Sequence, residues 1–233
     1  MEHGPGHGVH RFRRRGRTRA AAGHRWRHAA PGSNPRADRA VSGAAPGDFE
    51  GGVRCFLALL PDAASRQALQ RCRTTLERAV AGAARVRWVE PAALHLTLRF
   101  LGTTSNAQVD YLKHMLPTLA HALPAITTRR YGIWPNRARP RMLVLELADD
   151  PDLSNLAHAC ETHARKAGFE TEPRGFRAHL TLARLRPGCG FGILPNPPPS
   201  LAFDAVALMR SSLTQPGATY TELARVPLKP RDP

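Results

Sequence analysis

From Val53 onward the chain alternates short apolar runs with segments of helical spacing. Val53 to Leu60 is a β-rich apolar run closed by Pro61, and Asp62 then offers an N-cap to a helix reaching about Val80, with Leu69 and Leu76 at heptad spacing. Arg85 to Val89 alternates in strand fashion, and Leu94 to Leu101 does so again before Gly102, which is expected to stop it. Ser105 is the predicted N-cap of a second helix through about Leu123, which Pro117 should kink or shorten. A strand near Ile126 to Trp134, a Pro/Arg-rich loop and a strand from Met142 to Leu147 follow. Asp150 or Asp152 opens a helix to about Lys166, with Gly168 as its C-terminal glycine. A strand at Ala178 to Leu185, a Gly/Pro loop over 187–200, and strands near Phe203 to Ser211 and Tyr220 to Leu228 complete the pattern. Strands and helices mixed without strict βαβ alternation predict an α+β fold built on antiparallel sheets.

One hexapeptide occurs twice within this pattern. Residues 95–100 read HLTLRF and residues 179–184 read HLTLAR, 84 positions later, each in a strand-like segment. The chain therefore looks like two related halves. Side chains at i and i+2 of a strand share a face, so His95 lies beside Thr97 and His179 beside Thr181. Leu96, Leu98, Leu180 and Leu182 then point the other way, into apolar packing. Halves packed about an approximate two-fold axis would bring the two His/Thr pairs face to face across a groove.

Composition adds a charge asymmetry. Residues 1–47 hold ten arginines and five histidines against Glu2 and Asp38, so this stretch carries half of the formal excess of +16. With almost no large aliphatic residues it cannot bury enough apolar surface to offset the entropy of ordering, and is expected to be a disordered basic extension. Arg11, Arg13, Arg14, Arg15, Arg17 and Arg19 suit an arm attracted to nucleic-acid phosphates, the plainer alternative being an accessory start. Residues 48–233 form the expected folded domain of two lobes, itself basic and suited to a polyanionic partner. No apolar stretch is long enough for a membrane span, and Ala20 to Ala22 followed by Gly23 does not make a secretory h-region. Cys55, Cys72, Cys160 and Cys189 form no CxxC pair and read as inert thiols of a cytoplasmic protein.

Paired histidines and threonines suit one chemistry in particular. An imidazole titrates near neutrality, so one can be neutral and take a proton while its partner is charged and gives one. Threonine hydroxyls donate to anionic oxygens, and a charged imidazole stabilises negative charge spreading over phosphorus substituents. A phosphodiester is the fitting substrate: water activated by one histidine attacks phosphorus while the other protonates the departing ribose oxygen in line. Spacing does not say which histidine is acid and which base. No acidic cluster or cysteine group calls for a metal, and no cofactor is expected.

These motifs resemble the 2H phosphoesterases, defined by paired His-x-Thr-x motifs, and within them the RNA 2′,3′-cyclic phosphodiesterases, historically called 2′-5′ RNA ligases. The resemblance spans about residues 53–228. VRCFLALLP looks like the family's first strand, RVRWVEPAALHLTLRFLG, with Trp88, like its first motif region, and GFETEPRGFRAHLTLAR like its second. SSLTQPGATYTELARVPL, with Ser211, Leu213, Gly217 and Tyr220, is similar to the closing hairpin. Three positions depart from the family's habit: Ala178 in place of proline, Arg99 in place of lysine and Trp134 in place of phenylalanine. None removes a group the chemistry needs.

The resemblance implies a bilobal, pseudo-two-fold α+β fold with duplicated antiparallel sheets, helices outside and a central cleft. It implies a metal-independent enzyme that hydrolyses RNA or nucleotide 2′,3′-cyclic phosphates to 2′-phosphomonoesters; separately, the chain is expected to act as a monomer. By that resemblance His95 is the proton donor, His179 the acceptor, and Thr97 and Thr181 hold the phosphate. Arg54 and Arg184 are further candidates for guiding the anion, and Tyr220 for lining base or ribose unless it serves only hairpin packing. Two alternatives stay open: an RNA-end-binding module without turnover, and the reverse reaction, joining cyclic ends to 5′-hydroxyls through a 2′-5′ linkage. Competing motifs are weaker. His158 and His163 lie five apart and do not share a helix face, His114 and His121 share one without a third ligand, and GCGFG at 188–192 leads into ILPNPPP, so a connecting loop explains it better than a phosphate loop.

Overall fold

The computed structural model describes Met1 and residues 52–82, 85–214 and 217–230. Apart from Met1, the expected basic extension over 1–47 lies outside the described residues. Strand β1 (Val53–Pro61) leads into helix α1 (Ala63–Ala79), started by the Asp62 carboxylate, which accepts the Ser65 N–H at 2.7 Å. Two short strands, β2 (Val80–Ala81) and β3 (Val86–Trp88), precede β4 (Leu96–Thr104). Helix α2 (Asn106–Met115) begins with a capping box between Ser105 and Gln108. It ends earlier than the expected Leu123, because Pro117 cannot supply a helical N–H and the chain tightens into a 3-10 turn over Leu116–Leu119.

The second half opens with β5 (Ile126–Trp134) and β6 (Met142–Leu147), and continues with α3 (Pro151–Lys166) and β7 (His179–Leu185). Asp150, not Asp152, caps α3, and Gly168 after it takes φ +86°, as its predicted role requires. The Gly/Pro loop carries two short strands, β8 (Gly190–Phe191), which pairs with β2, and β9 (Ser200–Leu201). A long hairpin of β10 (Phe203–Thr214) and β11 (Gly217–Pro227) closes the domain. Gly102 does not end β4. At φ +74° it sits in a bulge, where Cys55 pairs with Gly102 and Phe56 with Phe100, and the strand runs on to Thr104.

The sheet order β11-β10-β1-β4-β7-β6-β5-β9, with β3 beside β7, makes the internal duplication explicit. In each half two antiparallel neighbours are joined by a helix: β1-α1-β4 and β6-α3-β7. The halves exchange their third strands, since β5 pairs with β6 and β10 returns to pair with β1. They meet where β4 and β7 pair through Leu96 and Leu180, so the expected pair of sheets is joined at one point on the pseudo-two-fold axis.

One face of the sheet is covered. Leu69 and Leu76 of α1, Val109, Leu112 and Met115 of α2, and Leu153, Leu156 and Cys160 of α3 pack with Leu57, Leu96, Leu143, Leu145 and Leu180 in the main core. Each fully buried leucine is worth about 1.5–3 kcal/mol. Most of the stabilisation therefore resides on the helix side, which leaves the opposite face free to carry polar groups. That face holds a small apolar cluster of Phe56, Ala58, Ala207 and Met209, with Leu60 and Tyr220 packed against it.

Candidate active site

The His/Thr pairs sit on the face opposite the helices. Leu96 and Leu180 are fully buried, while His95, Thr97, His179 and Thr181 are half-buried, as strand alternation predicts. Stepping one residue to either side of the Leu96–Leu180 pair sets His95 opposite Thr181 and Thr97 opposite His179. The two histidines are thus diagonal neighbours across antiparallel strands, a relation that spans about 7–8 Å between backbones. Two imidazoles on one face at this spacing can reach opposite sides of one phosphate.

Both copies break the alternation at the same point. Leu57 pairs with Arg99 and Ala58 with Thr97, so Leu98 is passed over, and Leu143 pairs with Ala183 and Val144 with Thr181, so Leu182 is passed over. Each bulge puts two consecutive residues on the core side and returns the next to the histidine face. Strict alternation would have sent Arg184 into the core. The bulge instead leaves it exposed on the histidine face, in the position that Phe100 occupies in the first copy.

The first bulge also turns Arg99 inward, where it is 8% exposed. Its guanidinium donates to the Glu161 carboxylate of α3 and to the carbonyls of Phe100 and Glu170, and lies 3.8 Å from the Glu172 carboxylate. Glu161 in turn accepts the Glu172 N–H at 3.3 Å. Arg99 thereby ties the first motif strand to the segment leading into the second motif. A lysine ammonium lacks the fork that serves these acceptors together, which gives the departure from the family's lysine a physical use.

Each imidazole is held the same way. His95 Nδ1 bonds the Ala93 carbonyl at 2.8 Å and His179 Nδ1 the Arg177 carbonyl at 2.7 Å, two residues upstream in both cases. A carbonyl only accepts, so Nδ1 carries the hydrogen and Nε2 is the titrating nitrogen offered to a ligand. The surroundings then differ. His95 packs between Phe56, at 4.8 Å, and the edge-on ring of Tyr220, at 5.0 Å. His179 packs on Trp134 at 4.4 Å, and the Arg177 guanidinium lies over the Trp134 ring at 4.0 Å.

Burial is the largest influence on both rings and holds each below the ordinary imidazole value. For His95 the Ala93 carbonyl opposes that effect, whereas positive charge on Arg184 and on His179 adds to it. For His179 the Arg177 carbonyl and the Glu146 carboxylate oppose it, and the Arg177 and Arg184 guanidinium groups add to it. The free site near neutrality therefore favours two neutral imidazoles, and because each charge resists the other, uptake of one proton is preferred to uptake of two.

Of the other residues singled out from the sequence, Tyr220 packs on His95 and on Phe56, and Arg184 feels both histidines. Arg54 is exposed on the same face, two residues before Phe56 on β1. Phe56, Trp134, Glu146 and Arg177 belong to the site as well. Arg177 stands within the second motif region, but nothing in the local pattern distinguishes Glu146 from an ordinary polar residue at a strand end. Among the described residues no three or more His, Cys, Asp or Glu side chains are gathered as a metal ligand set, and no helix is long and apolar enough to cross a membrane.

Comparison with known proteins places this arrangement. Residues 59–144 match the family model described as LigT like Phosphoesterase. A protein of Methanothermobacter thermautotrophicus named RNA 2′,3′-cyclic phosphodiesterase is 31% identical over 181 residues, covering 73% of this chain and 96% of its own. A Bacillus subtilis protein of the same name is 31% identical over 100 residues, 42% of this chain and 55% of that one. Among solved structures, apo LigT of E. coli superposes with a TM-score of 0.62 at 26% identity, over 78% of this chain and 100% of LigT. The same protein has been crystallised with 3′-AMP, and that complex superposes with a TM-score of 0.61 at 26% identity, over 77% of this chain and 99% of LigT. A duplicated antiparallel sheet presenting one His-x-Thr strand from each half defines a phosphoesterase of the 2H superfamily. Within that class, the chain belongs to the LigT-like phosphoesterase family.

Proposed function

We propose that this phosphoesterase hydrolyses the 2′,3′-cyclic phosphate at an RNA or nucleotide end to a 2′-phosphomonoester, by acid–base catalysis between His95 and His179 and without a metal. The observation that supports this most is the diagonal placement of two imidazoles about the Leu96–Leu180 pair, each with Nδ1 tied to a carbonyl and Nε2 left to act. The relatives named RNA 2′,3′-cyclic phosphodiesterase support the choice of substrate.

Water attacks phosphorus opposite the 3′ oxygen. His179 takes the water proton at Nε2 as the P–O bond forms, and His95 delivers its Nε2 proton to the ribose 3′ oxygen as the P–O3′ bond breaks, leaving phosphate on the 2′ oxygen. The hydroxyls of Thr97 and Thr181 and the guanidinium of Arg184 hold the non-bridging oxygens, where charge builds in the transition state. Arg54 attracts the anion from further out, and Tyr220 fixes the His95 ring and borders the ribose. The approaching diester is itself an anion and raises the proton affinity of both imidazoles, which charges His95 when it is needed. Both histidines come from one chain, consistent with action as a monomer, and the four free cysteines suit a reducing cytoplasm.

Incubating the purified protein with a nucleoside 2′,3′-cyclic phosphate and a chelator tests this reading. The expected product is the 2′-phosphate, formed at the rate seen without chelator. Because both imidazoles titrate below the ordinary 6.5, the singly protonated pair is most populated on the acid side of that value. The kcat/KM profile is therefore a bell with its maximum below pH 6.5, falling at higher pH as the acid loses its proton and at lower pH as the base gains one. Binding without turnover, a 3′-phosphate product or loss of activity to the chelator would each overturn the proposal.

A further inference from the structure

The two histidines are related by the pseudo-two-fold axis, yet their neighbours on the adjacent strands are not. Glu146 pairs with His179 across β6 and β7. In the other half, one step beyond the Leu59–Leu96 pair, the residue facing His95 is Leu60. A carboxylate thus stands beside one imidazole where a leucine stands beside the other.

That carboxylate is built in. Glu146 is 8% exposed. Its Oε1 accepts the Trp134 indole N–H at 2.8 Å, its Oε2 accepts the Arg130 Nε–H at 2.9 Å, and the Arg177 guanidinium is 3.8 Å from Oε1. Gly132 makes room for it, since a Cβ there would stand 2.8 Å from Oε1 and 3.1 Å from the indole nitrogen. Burial works against its charge, but the hydrogen bonds from Trp134 and Arg130, with the nearby guanidinium groups, outweigh it, so the group stays ionised wherever an imidazole titrates. The indole N–H bond matters because the family's more usual phenylalanine has no such donor: here the ring packed at a tilt against His179 is anchored to the carboxylate beside it.

We propose that Glu146 is the positioning residue of His179, fixing the Trp134 ring against the imidazole and setting beside it a negative charge, matched by none beside His95, that offsets part of the Arg177 and Arg184 charge and so favours His179 as acceptor of the proton from water. The proposal rests on the two-histidine reading above. Among the described residues, the charges facing His179 are Glu146 from β6, Arg177 from the preceding loop, Arg184 from its own strand and His95 from β4, with Arg130 of β5 behind Glu146. Glu146 is the one anion among them. It acts as the carboxylate of a catalytic triad does on an imidazolium, but through space and through Trp134, because Nδ1 is already bonded to the Arg177 carbonyl.

The test is Glu146→Gln in the full chain, which keeps the shape and the acceptor for Trp134 but removes the charge. Imidazole NMR titration should show the His179 midpoint falling by about 0.5–1 unit, while His95 moves by less than half as much. The low-pH limb of kcat/KM should move down with it, and Glu146→Asp should restore most of the midpoint. An unchanged His179 midpoint, or equal shifts of both histidines, overturns the proposal. If the glutamine variant does not fold, Glu146→Asp decides alone: its carboxylate is withdrawn by one methylene, so a small fall at His179 is expected, and no fall counts against the idea. The titration needs no turnover. A shifted midpoint in a protein whose histidine-to-alanine variants retain full activity would refute the two-histidine reading and leave the Glu146–His179 coupling standing.

Discussion

Replacing His95 or His179 by alanine lowers kcat/KM toward a nucleoside 2′,3′-cyclic phosphate by about 10²–10⁴-fold, the range for loss of a positioned acid or base. That corresponds to about 3–5 kcal/mol of transition-state stabilisation. The double variant should lose little more than the more damaging single one. A proton taken from water and a proton given to the leaving oxygen belong to one in-line displacement, so once either partner is gone the other has little to act with. Neither ring belongs to the helix-covered core, so the variants should fold and still bind inorganic phosphate through Thr97, Thr181 and Arg184. Steady-state kinetics beside a phosphate titration separates lost chemistry from lost folding, and near-wild-type rates in either single variant contradict the scheme.

Arg184→Gln is expected to have the next largest effect, about 10²-fold in kcat/KM, the scale for removing one preorganised donor from a developing oxyanion. It should also move the pH optimum. The Arg184 charge lowers the proton affinity of both histidines, so removing it raises both, and the bell shifts toward neutral pH as a whole. A guanidinium that were merely solvated would give neither result. A loss under threefold with an unmoved optimum would therefore remove Arg184 from the site.

The placement of Arg184 shows where reading the sequence succeeds and where it stops. Periodicity identified β1 and β6 almost to the residue, because each is a short, largely apolar run bounded by proline, glycine or charged residues, while β5, of mixed composition, is bracketed by Pro124 and Pro135. The capping residues Asp62 and Ser105 marked two helix starts, since a short polar side chain before an apolar period has a specific donor to satisfy, whereas for α3 the sequence offers both Asp150 and Asp152 and the structure selects Asp150. The repeated HLTL located both histidines and both threonines on one face. The matched bulges at Leu98 and Leu182 were not legible: a bulge depends on how the neighbouring strand pairs, and the motif itself alternates without a break. They reverse the facing of Arg99 and Arg184, two residues that strict alternation would have misassigned.

Glu146 escaped for a related reason. Its importance comes from a partner 33 residues away in the chain, brought opposite by the β6–β7 register, and from Gly132 leaving space beside it. Gly102 was misread as a stop because glycine serves both strand ends and bulges, and only the pairing with Cys55 decides which. Pro117 carried the correct warning about α2, whose remaining turn is a 3-10 turn that sequence periodicity does not separate from α-helix.

Hydrolysis by this route requires both imidazoles to meet one phosphate, and a crystal structure with a nucleoside 2′-monophosphate tests that directly. The expected result is Nε2 of His95 and Nε2 of His179 each within about 2.6–3.2 Å of oxygens on the same phosphorus, on opposite sides of it. A phosphate held by one histidine while the other ring points elsewhere would contradict it.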